Sequence, residues 1–300
     1  MARPPGRPPL ARRRAAPYGR GMIALIGASG RSGRALAAAL AARGEAFLPV
    51  LRDAARWRAL GFTQTPRVAD LADAPALRAA LAGATRIVSC AHARHAPAIL
   101  AAAPPGAAFV FMGSTRRFSR WPDEHGNGVR AGEAAFLASG RPGVMLHPTM
   151  IYGAQGENNV QRLAALMRRL PLLPLPGGGR SLVQPVHQDD VTAALLAALA
   201  RAEALSGTLV LAGPAPLPYR DFCAAVARAA GIAPRPVLPL PAAALMGLAP
   251  LTRALPFLPR IEAEEIRRLT EDKAFDIAPA RAALGFAPRP LEEGLALTFR

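Results

Sequence analysis

Gly27-Ala28-Ser29-Gly30-Arg31-Ser32-Gly33 is the stretch that decides the fold. It follows Met22-Ile23-Ala24-Leu25-Ile26, a continuous apolar run of the kind that fills a strand buried on both faces of a parallel sheet. It precedes Arg34 to Arg43, rich in Ala and Leu and free of Gly and Pro, which reads as a helix closed by Gly44. The spacing G-x-x-G-x-x-G takes its meaning from that strand–loop–helix setting. Glycines allow a tight turn and a close approach of backbone to a pyrophosphate, and the unpaired N–H groups at the helix start attract the anion. A dinucleotide site is therefore expected on Gly27, Ser29, Gly30, Arg31, Ser32 and Gly33. The alternative is a Gly-rich turn without a ligand.

Beyond the loop, strands and helices alternate. Ala46–Leu51 reads as a second strand, followed by a helix from about Asp53 to Leu60. Thr65–Val68 reads as a third strand and Pro75–Leu81 as a helix with Pro at its start. Arg86–Cys90 is a fourth strand, His95–Ala103 a helix and Ala107–Met112 a fifth strand. A polar stretch, Gly113–Gly128, leads to a helix from about Arg130 to Ser139 and a sixth strand at Gly143–Leu146. This order predicts an α/β fold, a doubly wound parallel sheet of Rossmann type with helices on both faces. Residues 22–150 would form the dinucleotide-binding domain, its sheet completed by about 185–213, where Thr208–Leu211 reads as a returning strand. Residues 151–184 and 214–300, with helices near Val160–Leu170, Tyr219–Ala230, Ile261–Leu269 and Pro279–Leu284, would form a smaller C-terminal substrate lobe. Val237–Leu258 reads as a Pro-punctuated helical region rather than a membrane span, because four prolines and Arg253 interrupt it.

The end of the second strand bears on which dinucleotide binds. NAD sites place an acid there for the ribose hydroxyls, and NADP sites place a cation for the 2′-phosphate. Arg52 suits the phosphate and Arg31 could assist, whereas Asp53 reads as the cap of the next helix. NADP is the preferred expectation and NAD the alternative.

The net charge of +17 does not point to nucleic acid. Six arginines without an acid fall in residues 1–20, and the rest are scattered among acids and Ala, with no basic stripe carrying aromatic platforms. Residues 1–21 read as a disordered basic tail or as sequence upstream of a true start at Met22. Cys90 and Cys223, far apart in apolar segments, suit buried thiols in a reducing compartment, and a cytoplasmic location is expected.

With these residues in view, the chain resembles the short-chain dehydrogenase/reductase superfamily, in its extended and atypical branches. The likeness rests on the glycine loop, Asp70-Leu71, Gly113-Ser114-Thr115, His147-Pro148-Thr149-Met150-Ile151-Tyr152-Gly153, Gln184-Pro185-Val186-His187-Gln188-Asp189-Asp190-Val191 and the ending Phe275-Asp276 to Pro288-Arg289-Pro290. Two of these segments are similar to those of NAD-dependent epimerase/dehydratases. The resemblance implies that Gly27, Gly30 and Gly33 hold the pyrophosphate, that Asp70 and Leu71 lie by the adenine, and that Ser114 faces substrate beside the nicotinamide. His147 stands where the family has Arg. The family's Tyr-x-x-x-Lys pair is missing: counted from Glu133, its positions fall at His125 and Val129. His125 could replace the Tyr as acid/base, since imidazole titrates near neutrality, although its Gly-rich surroundings suit an exposed loop histidine.

Ala91 and His92, with His95, follow the fourth strand, where an open α/β sheet borders its ligand, and are assigned to the cofactor lining. No third ligand accompanies the two histidines, so no metal is expected. Thr115 and Tyr152 are candidate substrate contacts, Tyr152 equally suiting a packing role. Asp189 or Asp190 reads as a helix N-cap. Gly177-Gly178-Gly179 reads as a turn, with no strand leading in. Two functions remain open. One is an NAD(P)-dependent oxidoreductase or epimerase acting on a nucleotide sugar or small carbonyl compound. The other is a non-catalytic NADP-binding redox sensor or structural subunit. Neither implies a nucleic-acid partner, and the oligomeric state is left open.

Overall fold

Met22–Ile26 forms β1, and its side chains divide the molecule. Ile23 and Leu25 enter one core cluster with helix α1 (Arg31–Ala42), while Ala24 and Ile26 enter a second cluster on the opposite face. This is the period-two alternation of a strand covered on both sides. The computed structural model describes residues 21–121, 123–153, 159–250 and 262–300. The expected tail at 1–20 and the end of the Val237–Leu258 segment lie outside them.

The chain continues through β2 (Phe47–Leu51), α2 (Ala54–Ala59), β3 (Arg67–Val68), α3 (Ala74–Leu81), β4 (Ala84–Ser89), α4 (Ala96–Ala102), β5 (Ala108–Met112), α5 (Glu124–Ala138) and β6 (Gly143–Pro148). Then follow β7 (Ile151–Tyr152), α6 (Asn159–Arg169), β8 (Leu173–Pro176), β9 (Leu182–Val183), β10 (Val186–His187), α7 (Gln188–Leu199) and β11 (Thr208–Leu211). The last part holds β12 (Leu217–Pro218), α8 (Tyr219–Ala229), β13 (Val237–Leu240), α9 (Ala242–Leu248), α10 (Ala263–Arg268), α11 (Ala278–Leu284) and α12 (Leu291–Thr298).

The central sheet has seven strands in the order β11-β6-β5-β4-β1-β2-β3, every pair parallel. Strand order reverses between β1 and β4, the place where open α/β sheets form their ligand crevice. Residues from α1, α7 and α11 pack on one face, and residues from α3, α4 and α5 on the other. The expected return of Thr208–Leu211 is β11, pairing with β6.

Three features differ from the sequence reading. The third strand is shorter, Arg67–Val68 alone. Val237–Leu240 is a strand rather than helix, pairing in parallel with β8. The triple glycine at 177–179 does have a strand leading in, β8, and all three residues take positive φ before the chain enters β9 rather than a helix. A third core cluster packs α6, β8, α8 and α12 together. Among the described residues no helix is long and apolar enough to cross a membrane.

Candidate cofactor and substrate site

The glycine loop folds as a tight turn between β1 and α1. Gly27 has φ +72°, its N–H donates to Val50 O (3.0 Å), and its carbonyl accepts from Gly30 N (2.9 Å). A Cβ on Gly33 would stand 2.1 Å from Gly27 O, and one on Gly27 would stand 3.0 Å from Ala91 N. Only glycine allows these approaches. Gly30 caps α1 with no side-chain hydrogen bond and the first turn carries no acid, so among the described residues no carboxylate occupies the positive end of this twelve-residue helix at the switch point. These features fit a pyrophosphate. Ser29 is partly exposed. Ser32 is buried, and its hydroxyl donates to Gln188 Oε1 (3.1 Å), tying α1 to α7 and leaving the backbone as the part that could face an anion.

Along the same edge, Arg31 and Arg52 are exposed. Asp53 caps α2, accepting from Arg56 N (2.9 Å). Asp70 accepts from Ala72 N (2.8 Å), shaping the turn after β3, and Leu71 packs against the second core cluster. The His95 imidazole is held below its ordinary pKa by burial, then by Arg94; the Asp70 charge acts upward and Arg52 downward, so these groups share one corner. His92 Nδ1 accepts from Arg94 N (3.0 Å), while its Nε2 is buried without a partner among the described residues.

At the end of β5, Ser114 is fixed by two bonds. Its N–H donates to His147 Nδ1 (3.1 Å), and its hydroxyl accepts from Arg116 N (3.2 Å). His147 is fully buried on β6, and a Cβ on Gly113 would stand 2.3 Å from its Nδ1. The Nδ1 acceptor role leaves the proton on Nε2, which lies 3.1 Å from Glu133 Oε2. Arg117 Nε lies 2.5 Å from the same oxygen. Neither contact has hydrogen-bond alignment, and with His147 neutral only the Arg117 contact is an ion pair. Burial, then Arg117, brings His147 down to about 4. Burial raises the Glu133 carboxyl, and Arg117 opposes it.

His125 lies not in a loop but in the first turn of α5, which begins six residues earlier than expected. Asp123 caps the helix by accepting from Gly126 N (2.5 Å). The glycines that suggested a loop serve close packing instead. A Cβ on Gly126 would stand 2.9 Å from Arg116 O, one on Gly128 2.9 Å from the His92 ring, and one on Gly132 1.9 Å from Ala93 O. His125, Val129 and Glu133 consequently recur every four residues along one helix. The His125 ring meets His92 edge-on, with centroids 4.2 Å apart. Burial, then His92 and Arg116, lowers His125 to about 4. Val129 is buried in the second core cluster.

Thr115 Oγ1 donates to Pro148 O (3.3 Å). Tyr152 is buried, its hydroxyl 3.5 Å from Leu291 O and its ring edge-on to His187. The cap of α7 is His187, whose Nδ1 accepts from Asp189 N, rather than Asp189 or Asp190. Asp190 is instead occupied by Arg289, accepting from its N and Nε at 3.0 Å each, which ties the C-terminal segment to the helix. Lys273 gives its ammonium to the carbonyls of Arg268 and Glu271.

Sequence reasoning missed Arg116 and Arg268. Arg116 Nη2 and Arg268 Nη1 approach Asp123 Oδ2 at 3.2 and 3.6 Å, from the turn after β5 and from α10. Their sequence separation and the abundance of arginine hid the pair.

No protein-family model matches the chain. Uncharacterized proteins of Mycobacterium tuberculosis and Mycobacterium bovis are 31% identical to it over 218 residues, 69% of this chain and 23% of theirs. The chain thus spans about a quarter of the length of these relatives, 23%. Among solved structures, a nucleoside-diphosphate-sugar epimerase from Pseudomonas aeruginosa aligns with a TM-score of 0.71 and 19% identity, covering 93% of this chain and 96% of that one. An NADPH-dependent quinone oxidoreductase from Escherichia coli, complexed with NADPH, aligns with 0.71 and 18%, covering 93% and 100%. A short-chain dehydrogenase/reductase superfamily protein from Agrobacterium tumefaciens with bound NAD gives 0.68 and 17%, covering 93% and 95%. Over most of its length the chain has the Rossmann-type fold of the short-chain dehydrogenase/reductases and nucleotide-sugar epimerases.

Proposed function

We propose that the chain binds a nicotinamide dinucleotide, NADP in preference to NAD, and acts as an oxidoreductase or epimerase on a nucleotide sugar or small carbonyl compound. The observation that carries the reading is the open N-terminus of α1 behind a turn that only glycine can make. Gly27, Gly30 and Gly33 would hold the pyrophosphate and Arg52 the 2′-phosphate. Asp70 and Leu71 would border the adenine, and Ala91 and His92 the middle of the cofactor. The nicotinamide supplies hydride transfer when bound. Ser114, held by His147, would orient the substrate oxygen beside Thr115. His125 would accept or return a proton, since at neutral pH its ring is uncharged. The solved structures of this fold bound to NADPH or NAD lend support.

A second reading, a redox sensor or structural subunit that binds NADP without turnover, is favoured by Val129. This buried aliphatic residue stands where a lysine would lower the acid's pKa. Cofactor binding should be measured with NADPH and NADH on the wild type and on Arg52→Ala. The expected result is tighter NADPH binding, weakened about tenfold by the substitution, the scale of one charge-assisted contact. Equal or tighter binding of NADH overturns the NADP assignment. Hydride transfer should then be followed with a panel of nucleotide sugars and carbonyl compounds. Turnover supports the enzyme, and tight binding without turnover supports the sensor or subunit.

A further inference from the structure

Arg116 and Arg268 converge on one carboxylate oxygen, Asp123 Oδ2, each through one guanidinium nitrogen. Asp123 Oδ1 is committed to the cap of α5. Among the described residues neither guanidinium makes any other ion pair or a hydrogen bond, yet both side chains are largely covered, at 32% and 22% exposure. Two partly covered cations therefore share one contacting carboxylate, and no nitrogen of either is sealed from solvent, so an incoming anion can reach them. The two cations also repel each other. Burial, then Arg116, weakens the hold of Arg268 on its proton, with Asp123, Glu265 and Glu264 acting in the opposite direction. The pair is short of carboxylate at contact distance: among the described residues Asp123 alone lies within 4 Å of both guanidiniums, while Glu264 and Glu265 act from farther off.

Its position gives the deficit a meaning. Arg116 lies two residues after Ser114 and acts electrostatically on both His92 and His125. Arg268 comes from α10, in the C-terminal part of the chain, so the pair bridges the dinucleotide domain and the smaller lobe. We propose that Arg116 and Arg268 form an anion subsite for a phosphate or carboxylate carried by the substrate, with Asp123 holding the two guanidiniums in place until the ligand arrives. Planar forks of this kind match either anion with paired hydrogen bonds. The inference rests on the cofactor reading above for the location of the reacting centre, but its test is separable.

Phenyl phosphate, benzoate and benzyl alcohol should be titrated calorimetrically against the full chain, with and without saturating NADPH. At least one of the two anions is expected to bind and the alcohol not; which anion binds tells phosphate from carboxylate. Arg268→Gln and Arg116→Gln are each expected to weaken that binding about tenfold, as loss of a charge-assisted contact does. Arg43→Gln, an exposed charge at the far end of α1, should leave it unchanged. NADPH affinity should be preserved in Arg268→Gln, which also shows that the variant is folded. Absence of anion binding by the wild type overturns the proposal, as does equal weakening by Arg43→Gln or unchanged affinity in both site variants. Loss of NADPH binding by the wild type alone would count against the cofactor reading, and the anion titration without NADPH would still decide this one.

Discussion

At the residue scale, His147 shows how burial turns one side chain into a constraint. Its Nδ1 must stay unprotonated to accept from Ser114, and its low pKa keeps it so. In the unfolded chain it would return to about 6.5. Between about pH 6.5 and about 4 the unfolded chain binds a proton that the folded chain refuses, so stability falls as pH falls through that window. Each such proton contributes a slope of about 1.4 kcal/mol per pH unit. His147→Asn, which keeps an acceptor near Ser114, should flatten the dependence of the urea midpoint on pH between 6.5 and 4.5. An unchanged slope would contradict the assignment. The sequence shows the histidine and the resemblance gives its place, but the bond to Ser114 and the approach to Glu133 are tertiary facts. So is the Arg116–Asp123–Arg268 cluster, whose members only the fold of α10 against the β5 turn brings together.

At the element scale, α5 decides whether His125 belongs to a site. Gly126, Gly128 and Gly132 lower helix propensity and read as a loop. Tertiary packing overrides that preference, because the helix lies so close to the turn at Ala93–His95 that side chains would collide. Asp123 supplies the local signal that was overlooked. Asp123→Ala should cost about 1 kcal/mol by urea denaturation, the usual worth of an N-cap. It should also speed hydrogen exchange at Gly126 more than at Phe136. Equal exchange at both would mean that the cap does not hold the turn. By contrast, β1, α1 and the glycine loop were legible because apolar run, glycine spacing and helix composition agree without a break from Met22 to Arg43.

At the scale of the whole molecule, the parallel sheet follows from the alternation of elements, whereas the packing of the C-terminal elements does not. The strands among them are short and Pro-bearing, as in Leu173–Pro176 against Val237–Leu240, and their partners lie far away in sequence. Helix α12 was missed for the same reason: it gains its place by packing. A Cβ on Gly294 would stand 2.1 Å from Tyr152 Oη. Gly294→Ala should therefore destabilise the protein by about 1–3 kcal/mol, the cost of overpacking, despite the better helix propensity of Ala. A gain in stability would mean that α12 does not close on Tyr152.

The central claim is that the turn between β1 and α1 is a dinucleotide site. Fluorescence titration of NADPH and NADH against the wild type and Gly33→Ala tests it most directly. Saturable binding by the wild type is predicted. At Gly33→Ala the new methyl group, 2.1 Å from Gly27 O, should weaken binding by at least about tenfold while far-ultraviolet circular dichroism stays that of a folded chain. Failure of the wild type to bind either nucleotide, or equal affinity in the two proteins, would contradict the account.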